Sequence, residues 1–185
     1  MRRYFVGLFL VVFACVDGIH AAFTPRNSAD LNHAVVTCLK ETPADGACPI
    51  FAALNSNGGM GEWQTGKVTD LSFLFLLDTV FNGDISNWET KSVTSMANMF
   101  DGASSFNGDL SKWDTRSTKN MQFMFSVATK FNADLSKWQV GSVGNLHEMF
   151  GKAPLFNADL SKWNVGAATD MTGSKYTNNC LELEL

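Results

Sequence analysis

The chain has 185 residues, of which 14 are Lys or Arg and 18 are Asp or Glu, for a net charge of −4. A mildly acidic chain without a Lys/Arg cluster excludes a phosphate-backbone interface, and with it nucleic acid as a partner. It equally offers no polybasic patch to anionic lipid.

Residues 1–21 are predicted to be a secretory signal peptide. Arg2 and Arg3 form a basic start, and Phe5 to Val16 is an apolar run of twelve residues, too short to span a bilayer comfortably. Small residues come next at Ala21 and Ala22, and cleavage is expected after Ala21, with Ile19 at the −3 position. Val12-Phe13-Ala14-Cys15 vaguely resembles a lipoprotein box, which would put a lipid on Cys15, but Phe13 stands where a small or aliphatic residue is expected. Cleavage removes Arg2, Arg3 and Asp17, leaving 12 basic and 17 acidic residues, a net of −5. No other stretch is long enough to be transmembrane. The product is therefore expected to be secreted or held at the cell surface.

Residues 22–62 are predicted to be an N-terminal helical cap and then a half-formed coil. Asn27 or Ser28 is the expected N-cap, and Leu31, Val35, Cys38 and Leu39 put one apolar face on the helix it starts. Pro43 and Gly46 end it. Cys38 and Cys48 flank that short loop and are the expected disulfide in an oxidising compartment. Cys180 is then odd, either free or bonded to another chain. These cysteines lack the spacing of a zinc site.

From residue 63 to 171 a period of 25 residues governs the sequence. Trp63, Trp88, Trp113, Trp138 and Trp163 keep it without a slip. So do Asn82, Asn107, Asn132 and Asn157, and Asp84, Asp109, Asp134 and Asp159. Phe81, Phe106, Phe131 and Phe156 form a further column, and each unit reads F-N-[GA]-D-[IL]-S-[NK]-W. A fixed period in this range marks one structural unit stacked on copies of itself. In the second half of the unit, Val143, Leu146, Met149 and Phe150 fall at helical spacing, preceded in three units by Ser92, Ser117 and Ser142 as possible caps. The first half, around Asp-Leu-Ser-x-Trp, reads as a short strand after a turn. The predicted architecture is thus an α/β repeat solenoid, a leucine-rich-repeat-like stack of 25-residue strand–turn–short helix coils under an N-terminal helical cap. Leu110 and Trp113 fit this imperfectly: three apart on a strand, they face opposite ways, so either the strand bends or the Trp packs in a corner. Residues 172–185 are a short charged tail after the pattern fails. It leaves a final coil poorly covered and a route to self-association.

The repeated columns carry the candidate functions. Large apolar residues at strict period are core. The Asn column would bond side chains and turn backbones between coils. The Asp column either caps turn N–H groups or, less simply, holds calcium between coils. No position supplies the ligand spacing of a known calcium loop, and no metal or cofactor is expected. Ser111, Lys112, Ser136, Lys137, Ser161 and Lys162 form a polar row able to hold an anionic glycan or an acidic partner, or simply to stay solvated, and Asn87 breaks it. Catalysis finds little support: after cleavage only His33 and His147 remain as histidines, and no nucleophile elbow or phosphate loop is present, so no enzyme activity is expected.

Trp88-Glu89-Thr90, Met96, Met99-Phe100, Ala103, Phe106-Asn107, Asp109-Leu110-Ser111 and Trp113 together resemble the 25-residue repeat of BspA-like surface proteins, first defined in mycoplasmas as a domain of unknown function. The resemblance covers about residues 57–171; Thr118 stands for a usual Val, and Gln139 and Asn164 for an Asp. It implies a leucine-rich-repeat relative on cell surfaces or secreted, with no shared enzyme activity. The expected function is an adhesion-type module for an extracellular protein or glycan. The alternative is a passive structural or wall-associated solenoid without a dedicated ligand.

Overall fold

A computed structural model of the chain describes residues 22–49 and 58–174. The expected signal peptide, Cys15, Cys180 and the chain beyond Ser174 lie outside the described residues.

Helix α1 spans Ser28–Leu39. Its N-cap is Asn27, whose side chain accepts the Asp30 N–H at 2.9 Å, and Arg26 pairs with Asp30 across the first turn. Leu31, Ala34, Val35 and Cys38 are its buried face. Two bonds fix the helix against the rest of the chain. Ser28 Oγ accepts the N–H of Asp70 at 3.0 Å, and a Cys38–Cys48 disulfide closes the loop behind the helix, with the two Cα atoms 4.8 Å apart. That loop in turn receives the first repeat: the Met60 N–H donates to the Gly46 carbonyl and the Asn82 N–H to Ala44.

The expected strand–turn–short helix coil does not form, and the α/β solenoid with its leucine-rich-repeat likeness is corrected here. Among the described residues there is one α-helix, one 3-10 turn at Met60–Glu62, and no strand. Contact between repeats in the parallel sense is reduced to single bridges, Asp70–Ser95, Ser95–Asn120, Asn120–Asn145 and Asn145–Asp170.

The segment read as helical is two tight turns in tandem. The Met99 N–H closes on the Met96 carbonyl at 3.3 Å and the Ala103 N–H on the Phe100 carbonyl at 3.0 Å. The third residue of each turn has positive φ, 56° at Asn98 and 73° at Gly102, as a type II turn requires. The next repeat does the same at Phe123 and Val127. Left-handed residues every fourth position break any helix. They also swing alternate N–H groups outward, to the neighbouring repeat: Met121, Phe123, Phe125 and Val127 donate to the carbonyls of Asn145, His147, Met149 and Gly151 at 2.7–2.9 Å. Ser92, Ser117 and Ser142 accordingly cap no helix. The buried positions Met96, Met99, Phe100 and Ala103 are turn corners, and tandem four-residue turns place them at i, i+3, i+4 and i+7, the signature of a helix face.

The segment read as a strand is also a turn. The Trp113 N–H closes on the Leu110 carbonyl at 3.1 Å, so both side chains point inward and are buried. The equivalent bond recurs at Trp88, Trp138 and Trp163. Of the two ways out for Leu110 and Trp113, the corner is the one the chain takes.

The core runs through all the repeats as aromatic files. Within a repeat Phe100 stacks on Phe106 with centroids 3.9 Å apart; between repeats Phe100 lies 5.4 Å from Phe75 and 5.5 Å from Phe125. Trp113 and Trp138 stack at 6.4 Å, as do Trp138 and Trp163. Except for the partly buried Trp163, each of these side chains stabilises by about 1.5–3 kcal/mol against its exposed state.

Candidate interaction face

One side of the molecule is built from the Asn, Asp, Ser and Lys columns, and most of its polar groups are already engaged by the backbone. Asn82 Oδ1 accepts the Asn107 N–H at 2.8 Å, Asn107 Oδ1 the Asn132 N–H at 2.8 Å, and Asn132 Oδ1 the Asn157 N–H at 2.8 Å. Each asparagine thus ties its repeat to the next. Of the candidate roles for this column, inter-repeat bonding is the one the geometry displays.

The Asp column caps turns. Asp84, Asp109, Asp134 and Asp159 each accept, through Oδ1, the N–H of the serine two residues on, at 2.8–2.9 Å. This holds all four carboxyls below their ordinary value, the serine N–H being the largest cause and the neighbouring lysines a lesser one. Among the described residues no group of three or more His, Cys, Asp or Glu side chains is placed to hold a metal ion.

The Trp column has a second bond that spacing alone does not reveal. The indole N–H of Trp88 donates to the Met60 carbonyl at 2.8 Å, Trp113 to Ile85 at 3.2 Å, Trp138 to Leu110 at 3.0 Å and Trp163 to Leu135 at 3.1 Å. The Leu110 carbonyl therefore accepts from the Trp113 backbone and the Trp138 indole together, using both lone pairs. Trp63 begins the column, edge-on to Phe23 at 5.1 Å.

Thr65, Thr90 and Thr115 are a buried hydroxyl column that sequence reading passed over. Thr90 Oγ1 donates to the Asp114 carbonyl and accepts the Asp114 N–H, and Thr115 does the same with Gln139. Its period is present in the sequence, but Val140 and Val165 replace Thr in the later repeats and mask it. Thr118, in place of a usual Val, is buried with its hydroxyl donated to the Val93 carbonyl at 3.1 Å.

Lys112, Lys137 and Lys162 are exposed one period apart, Ser111 and Ser136 are half-buried, and Ser161 is exposed. The serine N–H groups are taken by the Asp column, and the three lysines are the charged groups of the row. Lys112 Nζ donates to Asn87 Oδ1 at 3.1 Å, crossing to the preceding repeat. Between the repeats of Lys112 and Lys137 lies a depression of about 270 Å³, whose rim also carries Asp114, Arg116 and Gln139. Arg116 forks onto Asp114, Nε to Oδ1 at 2.9 Å, which holds that carboxyl below the ordinary range. Gln139 shows in the sequence as a departure from its column, whereas Arg116 is not singled out there, and nothing in the columns brings the two to the lysines.

The sequence matches the family described as Mycoplasma protein of unknown function, DUF285, over residues 48–163 and again over 119–181. The chain belongs to this family. The DUF285 match spans the turn-built repeats and the exposed face they carry, and its second segment reaches past the last described residue. No curated protein matches the chain, and no solved structure matches it either. No helix among the described residues is long and apolar enough to cross a membrane.

Proposed function

We propose that this DUF285 protein is an exported, BspA-like surface protein whose repeats present an interaction face to an extracellular protein or glycan. One observation carries the reading: bonding positions recur from repeat to repeat while exposed positions between them change on a fixed backbone. The residue after the Trp runs Glu89, Asp114, Gln139 and Asn164, and two positions further on stand Lys91, Arg116, Gly141 and Gly166. Repeats that hold one another through main chain and core leave such positions free to vary. The Cys38–Cys48 disulfide supports an oxidising destination. The row Ser111, Lys112, Ser136, Lys137, Ser161 and Lys162 is the surface on which binding is assigned.

The test is a screen of the secreted chain against arrays of glycans and cell-surface proteins. The expected result is binding confined to one chemical class, weakened by substitutions in the row. Silence across all classes would leave the passive, wall-associated reading in its place.

A further inference from the structure

We propose that the depression between Lys112, Arg116 and Lys137 seats an acidic sugar unit, carboxylated or sulfated, of an extracellular polysaccharide. This rests on the interaction-module reading and names the ligand class for it.

The lining of the depression is net cationic, although the Asp109 and Asp134 carboxylates of the turn-capping column lie near its lysines. The chain carries a net −4, yet the depression is ringed by three cations and one carboxylate. That carboxylate, Asp114, is already neutralised by the Arg116 fork, leaving Lys112 and Lys137 as the outward charges. Column 89, 114, 139, 164 explains why the site lies here: Glu89 and Asp114 are acidic, but Gln139 ends the run with a neutral amide. Gln139 is anchored, since its N–H and C=O both bond Thr115 Oγ1 at 2.9 and 3.1 Å, which sets its exposed side chain at the rim. Gly141, one period after Arg116, adds no side chain to the neighbouring wall.

The volume of about 270 Å³ falls below the roughly 300–1,000 Å³ of sites that enclose a drug-sized ligand. It suits one ring and its acidic group rather than a whole molecule. Lys162 continues the lysine line one period beyond, where the next acidic group of a linear chain would pass. Two lysine ammonium groups donate to the acceptor-only oxygens of carboxylate and sulfate, and the Gln139 amide, donor and acceptor at once, suits the hydroxyls around them.

The experiment titrates the full secreted chain with three hexasaccharides: oligogalacturonate, a sulfated hexosamine–uronate chain, and neutral cello-oligosaccharide. The expected result is binding of one or both acidic probes over the neutral one, with affinity falling as salt rises. Which acidic probe binds more tightly identifies carboxylate or sulfate. The double variant Lys112→Gln/Lys137→Gln should lose about tenfold or more in affinity at unchanged melting temperature, whereas Lys130→Gln, away from the depression, should bind as the parent does. Acidic probes that bind no better than the neutral one, or an unaffected double variant, would overturn the proposal. Equal binding of a poly-glutamate peptide would overturn the sugar assignment. If array screening still finds a neutral glycan or protein ligand, the interaction-module reading survives this failure; no ligand of any class sinks both.

Discussion

Side chains at left-handed backbone positions distinguish one repeat from the next. Asn98 and Gly102 hold positive φ in one repeat and are the residue types that tolerate it. The same places are taken by Phe123 and Val127, then by Glu148 and Lys152. Val127, β-branched at φ 56°, is the most costly of these, at about 1–2 kcal/mol or more for the left-handed well. It is 39% exposed, so little apolar burial compensates. Its register equivalent is Gly102, whose φ of 73° costs glycine nothing, and an added Cβ there would displace the end of the exposed Leu77 side chain. Val127→Gly is therefore expected to stabilise by about 0.5–1 kcal/mol, relief of the dihedral outweighing the extra freedom gained by the unfolded chain. In thermal unfolding this corresponds to a rise of about 1–4 °C. A fall in the midpoint would show that the valine side chain contributes packing that outweighs its dihedral.

At the level of the turn, the acid-sensitive parts are the aspartates that cap it. Asp84, Asp109, Asp134 and Asp159 all have lowered pKa values in the folded chain, first through the serine N–H each accepts. A lowered folded pKa gives a contribution present above the unfolded value and lost as pH falls through the folded one. Stability is thus expected to hold from neutral pH down to about pH 4 and to drop below it. Asp109→Asn keeps an acceptor for the Ser111 N–H but cannot titrate, so chemical denaturation midpoints measured from pH 7 to pH 2 should show a shallower acid loss than the parent. An unchanged acid limb would mean that the Asp109 carboxyl carries no such linkage.

These turns also mark the limit of what the sequence makes legible. Leu31, Val35 and Cys38 place helix α1 directly, because a helix is a local structure with its own period. The repeat period and its bonding columns are equally legible, since only like-on-like contact demands Trp at every 25th residue. The conformation inside the repeat is not. Tandem turns with a four-residue step imitate the helix step of 3.6, and the positive φ that separates the two is borne by Phe, Val, Glu and Lys in the later repeats, residues that do not announce it. The row of lysines can be read, and Gln139 as a departure from its column, but not that Arg116 and Gln139 meet the lysines around one depression, because that meeting is made by folding and not by the period.

Over the whole molecule, stability passes from neighbour to neighbour. Each repeat gives backbone N–H groups to the next, receives indole N–H groups from it, and shares aromatic files with both sides. Helix α1 and the disulfide loop close the first repeat. Trp163, in the last full repeat, is only partly buried, so the protection is expected to weaken toward that end. The claim that the indoles lock neighbouring repeats is tested most directly by hydrogen exchange of the tryptophan side chains, measured by NMR in the native state. The indole N–H protons of Trp88, Trp113 and Trp138 should exchange only through opening of the repeats that flank them, orders of magnitude slower than free indole, with Trp163 the faster. Exchange of Trp113 and Trp138 at the rate of an open side chain would contradict the account.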